Sequence, residues 1–406
     1  MMSFKRRLMQ CAAASIGRGA VLCALGAISA CGPSQNSATN APVAQANIAV
    51  QPVAEMSSNA VPVTASQTAN TVVDTNAAAS FAADASAAEL PTAGQAINAA
   101  TFQAGSAKRP AKLAYVPALL KAEVLLDRAG FSPGVIDGRD GTNLQHALVA
   151  FDTANGLTAD AALDAATLNA LIAADAAPAM QTYVITADDE AGPFIGTPPK
   201  DYQALSKLPA LGYSTPLQAL AEKFHMDQKL LQALNPGADF TKVGQTLLVA
   251  APRATPRDMQ VTRIEVDKSD DEVRAFGADG KLLAFYPATV GSTERPVPSG
   301  VFAVTSVAPH PAYFYDPARL TFTPSGAKGK LRIAPGPNNP VGSTWIALTV
   351  PTYGIHGSPD PTTIGKRQSH GCVRLTNWDA VELGKSVKKG VQVAFVGEDK
   401  SPGAKA

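Results

Sequence analysis

Three side chains able to do acyl-transfer chemistry crowd into one stretch, YGIHGSPDPTTIGKRQSHGCVRL, running from Tyr353 to Leu375. They are His356, His370 and Cys372. A thiol is a weak nucleophile until it loses its proton, and an imidazole within hydrogen-bond reach takes that proton away. His356 and Cys372 stand sixteen residues apart, too far for one helix face and natural for a loop joining two strands. Gly371, beside the thiol, allows a tight turn in which backbone N–H groups converge on a developing oxyanion. Residue types, glycines and strand context agree on cysteine acyl transfer. Two other readings stay open on the residues alone. Cys372 can be an inert thiol beside two structural histidines. Alternatively, His356, His370 and Cys372 can be three ligands of a catalytic zinc with water in the fourth place, which metal analysis separates. His146 and His310 read as structural or exposed, and Trp345 and Trp378 as packing residues.

The elements around this stretch are strands. MQVTRIEVD and EVRAFG alternate, Asp279-Gly280 is a hairpin turn, and KLLAFYPATVG follows. Further short strands are expected at GVFAV, TWIALTV and VQVAFV, with one clear helix from Asp379 to Val387. A mainly-β domain at about 257–397 is therefore expected, large enough for its own core.

The combination of HG at His356-Gly357 with SHGCVR at Ser369 to Arg374 resembles the signature of the L,D-transpeptidase, or YkuD, catalytic domain. VGSTERPVPSGVF, Val290 to Phe302, is similar to that family's G…PTPxG strand–turn, and LRIAPGPNNPVGSTWIAL, Leu331 to Leu348, to its PGPNNPxG element. Departures are small: Ser358 replaces a threonine after HG, and Val297 takes the threonine place of the turn. The resemblance implies a β-sandwich with Cys372 as nucleophile, His356 as general base and Gly357 orienting His356 through its carbonyl. His370 and Arg374 would line the donor site, Ser369 would bond within the loop, and the N–H groups of Gly371 and Cys372 would form the oxyanion hole. It further implies attack on the position-3 carbonyl of a peptidoglycan tetrapeptide stem and release of D-alanine through a thioester. An amine would then accept the acyl group, giving a 3→3 crosslink or attachment of an anchored lipoprotein, without metal or organic cofactor. A hydrolase, with water as acceptor or a crosslink as donor, and a non-catalytic wall-binding lipoprotein are the alternatives.

Upstream, residues 111–177 read as a small helical domain: helical spacing at Leu119, Leu120, Val124 and Leu125, the turn AGFSPGVIDG, then a second run from Leu144 to Phe151. This resembles the three-helix peptidoglycan-binding domain, with Phe131 and Phe151 in the core and Asp152 standing where that family has glutamine. Residues 181–252 carry TPLQALAEKFHMDQKLLQALNP and KVGQTLLV, an α+β order that resembles the LysM glycan-binding fold, with a Gly/Pro-rich stretch in place of its opening strand. His225 there reads as a helix-surface residue.

The chain of 406 residues is 46% apolar but only 6% aromatic. Its formal charge of +1 gives no basis for nucleic-acid binding. From 31 to 110 the Ala/Ser/Thr-rich composition reads as a disordered tether, since it cannot bury enough surface to offset ordering entropy. About 75 such residues reach roughly 45–50 Å as a coil. Lys5, Arg6 and Arg7 precede a short apolar stretch closing in Ile28-Ser29-Ala30-Cys31, a secretory leader (1–30) too short for a convincing membrane span. Its end resembles a bacterial lipoprotein box, implying lipid on Cys31, a membrane anchor in the periplasm and, because Gly32 is not aspartate, the outer membrane. Cys11 and Cys23 leave with the leader, so Cys372 is the thiol of the mature body. Residues 398–406 read as a tail. The whole is expected to be a multidomain chain with a helical domain, an α+β domain and a mainly-β catalytic domain behind a tether.

Overall fold

The computed structural model describes residues 89–102, 115–291, 297–318, 327–366 and 371–398, all within one unit of the chain, 66–406. The expected leader, Cys31, the tether up to residue 88 and all but the first residue of the tail lie outside the described residues.

Helices come first: α1 (Thr92–Asn98), α2 (Pro117–Ala129), α3 (Thr142–Asn155) and α4 (Ala165–Ala174). The last three bury Leu119, Leu125, Leu144 and Leu148 between them, whereas Leu120 and Val124 pack into the core of the module that follows, and Phe131 meets Phe151 edge-on at 5.4 Å. Asp152 is fully buried and accepts from the Thr167 hydroxyl at 2.8 Å, so it serves packing inside the helices. Helix α1 corrects the reading of 31–110 as a disordered tether over Thr92–Asn98. Leu90, Ala93 and Ile97 form an apolar stripe, Ile97 is fully buried, and Asn98 bonds both backbone groups of Met180. Seven residues are too few for such a stripe to stand out from an alanine-rich background.

Next comes a βααβ module: β1 (Met180–Val184), the short α5 (Ala187–Ala191) and α6 (Tyr202–Leu205), α7 (Pro216–Lys223), α8 (Gln228–Leu234) and β2 (Thr246–Ala250). Thr215 caps α7 and Pro216 occupies its first position, where a missing N–H costs nothing. An opening strand does exist: β1 pairs antiparallel with β2, Met180 opposite Ala250. The Gly/Pro-rich stretch follows that strand as an insert instead of replacing it. His225 is not on a helix surface. It lies past the end of α7 at φ 56°, half-buried, with its ring stacked on Trp378 at 4.8 Å and Nδ1 2.9 Å from Asp127.

The C-terminal part holds β3 (Arg263–Asp267), β4 (Glu272–Phe276), β5 (Leu282–Pro287), β6 (Thr289–Val290), β7 (Gly300–Pro309), β8 (Tyr313–Tyr315), β9 (Leu331–Ile333), β10 (Thr344–Leu348), β11 (Gly354–His356), β12 (Val373–Arg374), α9 (Asn377–Ser386) and β13 (Gln392–Val396). Nine strands form one sheet in the order β5-β4-β3-β13-β7-β10-β11-β12-β6. Its end strands β5 and β6 are separated in sequence only by Ala288, so the sheet curls until its ends meet. β7 makes the bend, pairing β13 with its first half and β10 with its second. The enclosed core includes Ile264, Val273, Ala284, Ile346, Ile355 and Val373.

Candidate active site

β11 and β12 run parallel, with Ile355 opposite Val373 and His356 opposite Arg374. Ile355 and Val373 are buried in the core. Side chains alternate across a sheet, so His356 and Arg374 share the other face, and Cys372, one residue before β12, joins them. Continuing the register sets Cys372 beside Gly354, whose backbone N–H donates to the sulfur. With strands about 4.8 Å apart and a rise of about 3.3 Å per residue, the Cα atoms of His356 and Cys372 lie about 8 Å apart on one face. That is within the combined reach of a thiol and an imidazole.

The His356 Nδ1–H donates to the Gly357 carbonyl at 2.7 Å. A carbonyl only accepts, so this bond selects the tautomer that leaves Nε2 as the ring's acceptor. The ring stacks on Trp345, its register partner on β10, at 5.4 Å. Burial, reinforced by the Arg374 charge, pulls the imidazole down to about 3. Burial also pushes the Cys372 thiol up, against the opposing pull of the Gly354 N–H and Arg374. At rest, therefore, the pair is a thiol and a neutral imidazole. The sulfur also lies 3.9 Å from the carbonyl of Thr352, a β-branched residue at φ 69° that adopts this conformation only where its surroundings enforce it.

Gly371 sits at φ 108°, a conformation open to glycine and strained for other residues, as the turn before Cys372 requires. Arg374 presents a buried Nε with no acceptor among the described residues. Ser369 and His370 lie outside the described residues, and with His370 goes one ligand of the zinc alternative. The sequence reading did not single out the tyrosines. Tyr313 on β8 is held above its ordinary value by burial, then by Tyr202, the Cys372 thiol and Tyr315, with Arg374 opposing. Alternation along YFY was the available signal: Tyr313 and Tyr315 share a face and Phe314 is left exposed. For Tyr202, 170 residues before Cys372, no local signal existed.

A family model for the L,D-transpeptidase catalytic domain, YkuD, matches residues 261–394, and one for a peptidoglycan-binding domain matches 117–171. The chain is 28% identical over 179 residues to YkuD of Bacillus licheniformis, a match covering 44% of this chain and 92% of that protein. It is 30% identical over 142 residues to YqjB of Bacillus subtilis, covering 34% and 72% respectively; both relatives are named as L,D-transpeptidases. With YkuD of Bacillus subtilis the match spans less than half of the relative, 46%, at 40% identity over 19% of this chain. An L,D-transpeptidase structure from Mycobacterium smegmatis overlaps 38% of this chain and 64% of its own at 20% identity, with a TM-score of 0.28. The catalytic-domain match covers the sheet, the His356 strand and the Cys372 turn together, and the chain belongs to the YkuD family of L,D-transpeptidases.

Proposed function

We propose that the protein remodels peptidoglycan as an L,D-transpeptidase with Cys372 as nucleophile. The observation that carries this is the β11–β12 register, which puts Cys372 diagonal to His356 on one face while Gly357 holds the His356 tautomer that leaves Nε2 open.

The Cys372 proton passes to His356 Nε2 as sulfur bonds to the position-3 carbonyl carbon of a tetrapeptide stem. The N–H groups of Gly371 and Cys372 meet the oxyanion, with charge-directed hydrogen bonds of the kind that lower acyl-transfer barriers. Collapse breaks the C–N bond, and D-alanine leaves as the amine with the proton from His356, leaving a thioester. An acceptor amine then attacks, gives its proton to His356 and frees the thiol. Arg374 pairs with a stem carboxylate: its guanidinium offers a fork of donors, and its buried Nε awaits an acceptor. His370 and Ser369 complete the donor loop. No metal or organic cofactor enters these steps.

The α2–α4 helices and the βααβ module, which we assign as LysM-like, hold the enzyme on the wall. Lipid on Cys31 anchors it in the envelope, at the outer membrane, with the tether spanning the gap. Domain limits at 111–177, 181–252 and 257–397 follow from this assignment.

Incubation of the protein with tetrapeptide muropeptides and candidate amines, followed by mass spectrometry, should show D-alanine release and an amine-linked product. Products containing only water-cleaved tripeptides would make it a carboxypeptidase. No D-alanine release, together with failure of a carbapenem to label Cys372, would leave a non-catalytic wall-binding protein.

A further inference from the structure

Between β1 and α7 the chain leaves the βααβ core and lies along the catalytic sheet domain. The insert is folded back on itself by Ile195 N–H to Tyr213 carbonyl (2.9 Å) and Gly196 N–H to Ser214 carbonyl (3.2 Å). It is then sewn to the PGPNN element. Leu211 N–H donates to the Pro335 carbonyl at 2.8 Å, and Asn338 N–H returns to the Leu211 carbonyl at 3.0 Å. The Asn338 amide donates to the Gly212 carbonyl at 2.7 Å and meets Gln218. Contact is so close at Gly336 that a Cβ there would stand 2.1 Å from the Leu211 oxygen. Beneath these bonds Leu205 and Leu211 share a small apolar cluster with Ile333 and Ala334.

Helix α6, capped by Asp201, begins with Tyr202 inside this insert. The Tyr202 ring stands edge-on to Tyr313 at 6.0 Å and 90°, and to Tyr315 at 6.2 Å and 83°. Edge-to-face pairs fix the mutual orientation of their rings. Tyr315 is fully buried, whereas Tyr202 and Tyr313 are half-buried, so the pair forms a partly open surface and not a sealed core. Burial and the neighbouring rings hold both phenols up, and the Arg374 charge pulls both down.

We propose that Tyr202 is a positioning residue of the donor site: it buttresses Tyr313 and so sets an aromatic wall beside Cys372 and Arg374, against which the side chains of an anionic stem peptide pack. The active cleft is then shared between the catalytic domain and the module before it. This rests on the donor reading above.

The test uses the full chain. D-alanine release from a tetrapeptide donor gives kcat and KM, and iodoacetamide labelling reports Cys372 separately. Tyr202→Ala should raise donor KM about tenfold, change kcat less than about threefold and leave the labelling rate within twofold, while Tyr202→Phe should restore most of the loss. In a Tyr313→Ala background, Tyr202→Ala should add almost nothing, because the ring it supports is gone. An unchanged KM in Tyr202→Ala overturns the inference, as does a loss that adds fully to that of Tyr313→Ala. A fall in kcat and labelling together at constant KM, or loss of the fold in Tyr202→Ala with Tyr202→Leu keeping wild-type KM, also overturns it by showing a merely structural part. Wild-type labelling without any D-alanine release is a different failure, that of the donor reading itself, and removes this inference with it.

Discussion

At Cys372 and His356 the same physical fact, burial, acts on both partners in opposite chemical directions. It keeps the imidazole free of a proton and keeps the thiol holding one. A base pulled down to about 3 is weak, but it is present in its acceptor form at any pH at which the protein works. Cys372→Ala should abolish D-alanine release by at least about a thousandfold with the fold intact by circular dichroism, and substantial residual activity would refute the nucleophile. Arg374 lowers both groups by its charge. Removing that charge in Arg374→Gln should raise both, so the pH midpoint of Cys372 alkylation moves upward, and alkylation at fixed pH slows. Arg374→Lys should keep the wild-type midpoint. Identical midpoints in all three proteins would show that the Arg374 charge does not reach the sulfur.

The site depends on how α9 is fastened behind β11 and β12. Thr376 caps the helix through Asp379 N–H, and the next residue, Asn377, ties three elements: its oxygen accepts from Ser343 N–H at 3.0 Å and its amide donates to Glu222 at 3.1 Å and to the Pro337 carbonyl. Burial pushes the Glu222 carboxyl up to about 7, so it tolerates little loss of donors. Asn377→Ala leaves a buried N–H and a half-buried carboxyl short of partners. A cost of about 2–4 kcal/mol is expected in urea unfolding, whereas Thr376→Ala should cost only about 1 kcal/mol as a lost cap. Equal costs would mean that the Asn377 links are replaced by water.

Across the whole molecule the helical domain, the βααβ module and the sheet domain share buried groups. Phe285 of β5 is fully buried in the helical core, bonded through backbone to Gly130 and Ser132. His225 stacks on Trp378 and faces Asp127, and Ser132 donates to Asp379 at 3.0 Å. Burial pushes the Asp379 carboxyl from 3.8 up to about 8. Between those values the folded chain holds a proton that the unfolded chain has lost, so stability falls as pH rises. Burial works against the charge on His225, but the Asp127 carboxylate outweighs it and raises the imidazole above 6.5. Its stabilisation is present below that value and is lost as pH rises through the folded one. His356 acts in the opposite sense, costing stability as pH falls from 6.5 toward about 3. Asp379→Asn should therefore shrink the loss of stability between about pH 5 and pH 8 seen by urea unfolding. An unchanged loss would assign it elsewhere. Residues 89–398 should also melt in a single calorimetric transition, and two resolved endotherms would show that the shared groups do not couple the domains.

The family signature and the order of helical and strand segments were legible in the chain itself. A thiol, two histidines and glycines at close spacing carry their meaning locally, as do leucines at helical period around Leu120 and alternation in RIEVD or EVRAF. Periodicity, however, reports only that a face will be covered and not by what. It could not show that α1 belongs to the βααβ core, that Met180–Val184 is a strand, that His225 stacks on Trp378, or that Tyr202 packs on Tyr313. Those facts come from pairings between residues far apart in sequence, and so does the neutral resting state of Cys372 and His356. Burial is set by every element that packs on a group, and it exists only once the chain has closed around it.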